Sequence, residues 1–128
     1  SNPYSIFPNK EIRDLCLDSI RRMGLSEKIY EPIRRLSGGQ QRRVAIARTM
    51  AQSPKIILAD EFLSELDEKT LEMVKTEVVE FVRKESSTLI VVEHDVSRAK
   101  SIADRMLVID DGRVNPFISQ TTALEVKK

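Results

Sequence analysis

Lys55-Ile56-Ile57-Leu58-Ala59-Asp60-Glu61 is a short, nearly continuous apolar run that stops at two carboxylates. A second run of the same kind, Thr88-Leu89-Ile90-Val91-Val92, stops at Glu93-His94-Asp95. Such runs predict strands buried on both faces of a parallel sheet. Residues 68–84 lie between them and read as an amphipathic helix, with Leu71, Val74, Val78, Phe81 and Val82 on its apolar stripe and Asp67 as its cap. A helix over 96–103 then leads to a third strand at 106–109, and Asp110-Asp111-Gly112 is a turn signal. Upstream, Asn9 can cap a helix whose stripe is Ile12, Leu15, Cys16, Ile20 and Met23 and which Gly24 stops. Residues 26–35 read as a short helix and a loop broken by Pro32. A further helix runs from Gly38 to about Gln52, and Pro54 cannot continue it. Residues 1–8 read as loop, and the weakly patterned stretch 115–128 is expected to fray. Strands alternating with helices predict an α/β fold with a largely parallel sheet.

The chain has 128 residues, which sets one domain as the upper bound and is long enough for a buried core. Charged residues make up 32 %, yet the net charge is only +1, so charge argues for neither a nucleic-acid nor a membrane partner. The basic pairs Arg34-Arg35 and Arg42-Arg43 read as solvated helix surface. A single cysteine, Cys16, has no internal disulfide partner and is expected in the core; with one histidine it cannot make a zinc site. There is no apolar run of the roughly 20 residues that a membrane span needs. With no charged-then-apolar leader at the start, a cytoplasmic setting is expected.

In open α/β sheets, polar residues just past the carboxyl ends of strands line the ligand crevice. That rule selects Asp60, Glu61 and His94. One carboxylate suffices as a protein ligand for Mg²⁺, and a second can orient or deprotonate an attacking water. A neutral imidazole could hydrogen-bond a phosphate or that water. The plainer alternatives are solvated charges at a strand end and a structural histidine. Ser37-Gly38-Gly39-Gln40 opens a helix, where unpaired N–H groups, two missing side chains and a hydroxyl suit a terminal phosphate. The same residues have the Ser-x-x-Gln spacing of a capping box. Ser64-Glu65-Leu66-Asp67 reads first as a loop closing on a helix cap.

Taken together and in order, these pieces resemble the C-terminal part of an ABC-type ATPase domain, from about residue 10 to 114. Leu36-Ser37-Gly38-Gly39-Gln40 and the following Gln41-Arg42-Arg43-Val44-Ala45-Ile46-Ala47-Arg48 look like the signature motif and its helix. The apolar run ending at Asp60 looks like Walker B, with Glu61 at the catalytic glutamate position. Ser64-Glu65-Leu66-Asp67 looks like the D-loop and His94 like the switch histidine. The resemblance implies a P-loop NTPase fold divided into a partial helical subdomain (1–53), a partial ATPase core (54–114) and a tail (115–128). It also implies that two domains sandwich two ATP molecules, each held between one partner's phosphate loop and the other's signature. Asp60 would then help hold Mg²⁺, Glu61 polarise water, His94 sense the γ-phosphate, Ser37, Gly38, Gly39 and Gln40 contact it, and Asp67 communicate across the dimer.

Some positions depart from the family pattern. Phe62 and Leu63 replace a usual Pro-Thr, Glu65 replaces a small residue, Arg42 stands where glutamine is common, and Glu93 where threonine is frequent. No Gly-x-x-x-x-Gly-Lys-Ser/Thr phosphate loop occurs in these residues. The resemblance places that loop, its strand, the adenine-stacking aromatic and the Q-loop upstream of Ser1. The missing strand would separate Thr88–Val92 from the strand at 106–109. Those two strands are therefore expected to pair directly, to accept a strand from a partner, or to exchange elements with a second copy. The implied function is ATP hydrolysis coupled to membrane transport, with a phosphate-loop-bearing chain or second nucleotide-binding domain and a membrane permease as partners. On this reading the chain alone is inactive. The alternative is a non-catalytic half-domain, or a soluble ABC module, that completes another subunit's ATP site in trans.

Overall fold

A computed structural model describes residues 9–114 and 118–119. The loop expected at 1–8 lies outside the described residues, as does most of the stretch 115–128. Helix α1 spans Lys10–Arg22 and starts where the Asn9 side chain accepts the Ile12 N–H at 2.9 Å. It ends in a Schellman arrangement, with the Leu25 N–H reaching the Ile20 carbonyl and the Gly24 N–H the Arg21 carbonyl. Gly24 takes φ +68°, a left-handed value that glycine adopts without penalty. Two single 3₁₀ turns, Ser26–Lys28 and Ile33–Arg35, occupy the region read as a short helix and loop. Helix α2 spans Gly38–Ala51 and α3 spans Glu68–Lys84.

Strands β1 (Ile56–Asp60) and β2 (Thr88–Val92) pair in parallel through all five residues, from Ile56 opposite Thr88 to Asp60 opposite Val92. The ladder continues at both ends, through Thr88 N–H to Lys55 C=O and Glu61 N–H to Val92 C=O. Helix α3 connects the two strands and covers one sheet face with Val74, Val78 and Phe81, against Ile57, Ala59, Leu89 and Val91. The same core takes in Met23 and Leu25 from the end of α1, Ala47 and Met50 of α2, and Phe62 and Leu63 just past β1.

Burial of β1 and β2 on both faces is not what the structure shows. Ile56, Leu58, Ile90 and Val92 alternate with the covered residues and remain exposed, Leu58 at 77 %. The α3 stripe is wide enough for one face only, and the strands respond with period-two burial. The core position expected for Cys16 is also corrected, because Cys16 is exposed. Only the end of α1 reaches the core, so Ile12 and Leu15 are exposed with it.

The strand expected at 106–109 is not continuous. Helix α4 (Val96–Ile102) leads into β3 (Arg105–Met106), which pairs antiparallel with β6 (Ile118–Ser119) inside the stretch expected to fray. Strands β4 (Ile109–Asp110) and β5 (Arg113–Val114) close a hairpin over Asp111-Gly112. Both turn residues have positive φ, as a two-residue type I′ turn requires. Among the described residues β2 and β3 do not pair, so direct pairing of the two strands is not adopted.

Candidate functional site

The register of β1 with β2 sets the site. Asp60 faces Val92, so the next residues, Glu61 on one strand and Glu93-His94 on the other, leave the sheet side by side. The His94 Nε2 lies 2.8 Å from the Glu61 Oε1, a close polar contact between imidazole and carboxylate. This joins two residues 33 positions apart that the strand-end rule selected separately. Both stay open to a ligand, the His94 side chain being 82 % exposed and that of Glu61 41 %. The loop carrying His94 is pinned by its neighbour. One Glu93 oxygen accepts the N–H groups of His94 (3.1 Å) and Asp95 (3.3 Å), and Arg98 sits 3.6 Å away. Asp95 caps α4 through the Arg98 N–H at 3.0 Å.

Glu61 has φ +47°, and Glu65 φ +61°, so the chain turns sharply as it leaves β1. The turn drives Phe62 and Leu63 into the core, Leu63 being fully buried. The departures from Pro-Thr at these positions are therefore core anchors. Asp60 ends β1 exposed, beside Glu61. Asp67 caps α3, accepting the Thr70 N–H at 3.0 Å and the Thr70 hydroxyl at 2.6 Å. The Thr70 hydroxyl and N–H hold its carboxyl below the ordinary aspartate range.

At the start of α2 the capping box is complete. The Gln40 N–H reaches Ser37 Oγ at 3.2 Å, and the Ser37 N–H reaches Gln40 Oε1 at 3.0 Å. This cap and an anion subsite are compatible. The box consumes the N–H groups of Ser37 and Gln40 and leaves those of Gly38 and Gly39, first-turn donors with no intrahelical partner. The Ser37 hydroxyl accepts in the box and keeps its own proton to donate. The helix start packs against the 64–67 segment: a Cβ on Gly39 would lie 3.4 Å from Leu66 Cδ2 and 3.6 Å from the Glu65 carbonyl oxygen.

Among the described residues no group of three or more His, Cys, Asp or Glu could hold a metal by itself. Mg²⁺ at nucleotide sites takes one or two carboxylates and completes its shell with phosphates and water. The exposed Asp60 fits that donor set, with Glu61 adjacent.

Arg42 and Arg43 are not the solvated pair that the sequence suggested. Arg43 donates to the Met23 carbonyl at 2.9 Å, tying α2 to the end of α1. Arg42 reaches across to the turn after β1, donating to the carbonyls of Glu61 (3.0 Å) and Ser64 (2.9 Å) and to the Ser64 hydroxyl. Its second nitrogen lies 3.7 Å from Glu65 Oε2. The one signal in the sequence was that positions 42 and 65 both depart from the pattern, with opposite charges.

The protein family described as ABC transporter matches residues 4–64. The spermidine/putrescine import ATP-binding protein of Pasteurella multocida is 40 % identical over 107 residues, 84 % of this chain and 29 % of that protein. The glutamine transport ATP-binding protein of Geobacillus stearothermophilus is also 40 % identical over 107 residues, covering 84 % of this chain and 44 % of its own. The chain thus spans less than half the length of these curated relatives. Among solved structures, a dimeric ATP-binding cassette in a post-hydrolysis state with ADP and Pi aligns with a TM-score of 0.77 and 33 % identity, over 91 % of this chain and 50 % of that one.

Proposed function

We propose that this chain, which by sequence and fold is part of an ABC transporter ATP-binding domain, supplies the signature and the water-activating half of a shared ATPase site. The observation that carries the reading is the 2.8 Å contact between His94 and Glu61 at the ends of two parallel strands. Glu61 orients and polarises the attacking water. His94 holds that carboxylate in place and gives its hydrogen bond to the γ-phosphate when nucleotide arrives. Asp60 would be the protein ligand of a Mg²⁺ bound with ATP, an ion that would supply neutralisation of the phosphate charge. Ser37, Gly38, Gly39 and Gln40 present the start of α2 to the γ-phosphate of an ATP held by another chain or domain. Asp67 stands at the dimer seam.

On this reading, 1–53 is a partial helical subdomain, 54–114 a partial core and 115–128 a tail. The partner is a second nucleotide-binding domain or a phosphate-loop-bearing chain. The bare sheet face and the unpaired β2 edge accept that partner or exchange with a second copy. A membrane permease completes the assembly, with the chain peripheral on the cytoplasmic side. Among the described residues no helix is long and apolar enough to cross a membrane. The Pasteurella and Geobacillus relatives are named for different cargo, spermidine/putrescine and glutamine. ATP binding in the service of transport is the element that both names share.

Mg-ATP turnover, with Glu61→Gln as the control, tests the reading. In the assembled enzyme the substitution is expected to abolish hydrolysis while ATP still binds, and residues 1–128 alone are expected to show no turnover. Near-normal hydrolysis by the assembled Glu61→Gln enzyme removes Glu61 from its role. Turnover by the isolated chain that vanishes with Glu61→Gln reveals a phosphate-binding element within these residues.

A further inference from the structure

Arg42 follows Gly38 by four residues on α2, one turn along the same face. Its guanidinium does not point into solvent beside the subsite. It crosses to residues 61–65, where Nη1 meets two carbonyls and a hydroxyl and Nη2 faces the Glu65 carboxylate. The Glu61 carbonyl accepts twice, from Arg42 at 3.0 Å and from the Ser64 N–H at 3.0 Å, so both of its lone pairs are engaged. These bonds fix the peptide plane that follows Glu61, at a residue already held at φ +47°. The direction of the Glu61 side chain depends on that plane.

We infer that Arg42 is a positioning residue that ties the aim of the Glu61 carboxylate to the seating of helix α2 on phosphate. The inference rests on the function proposed above. There, Ser37-Gly38-Gly39-Gln40 serves one ATP and Glu61 serves the other, and no ligand touches both. Arg42 is a direct polar link between the two half-sites within one chain. A planar fork with several donors can hold two carbonyls and a carboxylate together, which a single ammonium does less well. A shift of α2 when a γ-phosphate docks at its start is thereby passed to residues 61–65, and with them to Glu61. Glu65 completes the clamp, so the two departures at positions 42 and 65 work as a pair.

The test is kinetic and uses the assembled ATPase with R42M, R42K and E61Q. Methionine keeps an unbranched stem but no donor, and lysine keeps one charged donor group. R42M is expected to lower kcat on the order of tenfold to a hundredfold, as misplacement of a catalytic group does. ATP affinity, read in the E61Q background, is expected to stay within about twofold, with kcat expressed per titrated ATP-binding site so that lost folded protein does not count as a lower kcat. R42K is expected to fall between R42M and the wild type. A wild-type kcat in R42K, or a kcat in R42M within about twofold of wild type, overturns the inference. So does a loss in R42M matched by an equal weakening of ATP binding. Should R42M fail to fold, R42K decides alone by its kcat. Hydrolysis that survives E61Q removes the underlying reading, and this inference with it. Dead E61Q with normal R42M removes only the inference.

Discussion

The 2.8 Å contact between His94 and Glu61 brings the ends of two parallel strands into one polar cluster. Replacing His94 by Ala leaves Glu61 without that partner and, on the proposed function, removes a donor from the phosphate. Turnover in the assembled enzyme is expected to fall on the order of a hundredfold or more, as loss of a group acting in proton or charge management does. Steady-state ATPase assays check this, and full activity would return His94 to a structural role. At this scale the placement of Asp60, Glu61 and His94 at strand ends was legible in the sequence, because a strand's end is also the end of its apolar run. Arg42 was not. Its partners lie 19 and 22 residues away, and a long cationic side chain beside another reads as solvated whatever it reaches. Phe62 and Leu63 were legible only as departures. The left-handed turn at Glu61 that buries them leaves no mark of its own in composition.

Helix starts were the best-read elements, since a cap is a local contract between one side chain and an N–H three residues on. Asn9, Ser37 and Asp67 make the expected bond, and Asp95 makes the same one at the start of α4. Asp67 lends its cap a pH dependence. Its carboxyl titrates below the ordinary aspartate value in the folded chain, through Thr70, and at that value when unfolded. The charge therefore favours the folded state fully above the ordinary value of about 3.9, and this stabilisation is lost as pH falls through the lower folded value. Asp67→Asn retains an oxygen acceptor without the charge. The variant is expected to be less stable than wild type near neutral pH, with the gap closing in acid. Denaturant midpoints across pH check it, and a gap independent of pH would separate the cap from its charge. Strand elements past residue 104 were less legible. A two-residue ladder carries almost no periodicity, and β3 finds its partner in β6 rather than β2. Only the Asp111-Gly112 turn announced itself.

At the scale of the whole molecule, one sheet face is packed and one is bare. Ile56, Leu58, Ile90 and Val92 form an apolar patch beside the site, and the β2 edge on that sheet is unpaired among the described residues. Exposed apolar patches with free strand edges promote association. Residues 1–128 in isolation are expected to self-associate, and Leu58→Lys to shift them toward monomer. Sedimentation at several concentrations checks this, and a monodisperse wild type would show that the face is tolerated in water. The α/β class was legible from the two apolar runs. Their one-sided burial was not, because a run apolar at every position does not say which face a helix will cover. The turn at Glu61 has a bearing on the protein's history. A left-handed backbone costs a residue with a Cβ about 1–2 kcal/mol, and glycine or asparagine would carry it more cheaply. On the proposed function, position 61 thus holds a catalytic residue that its own backbone disfavours. Selection for turnover opposes selection for stability at this position. In a lineage freed from the need to hydrolyse ATP, position 61 is where mutation would drift first, and the drift would make the protein more robust as it fell silent.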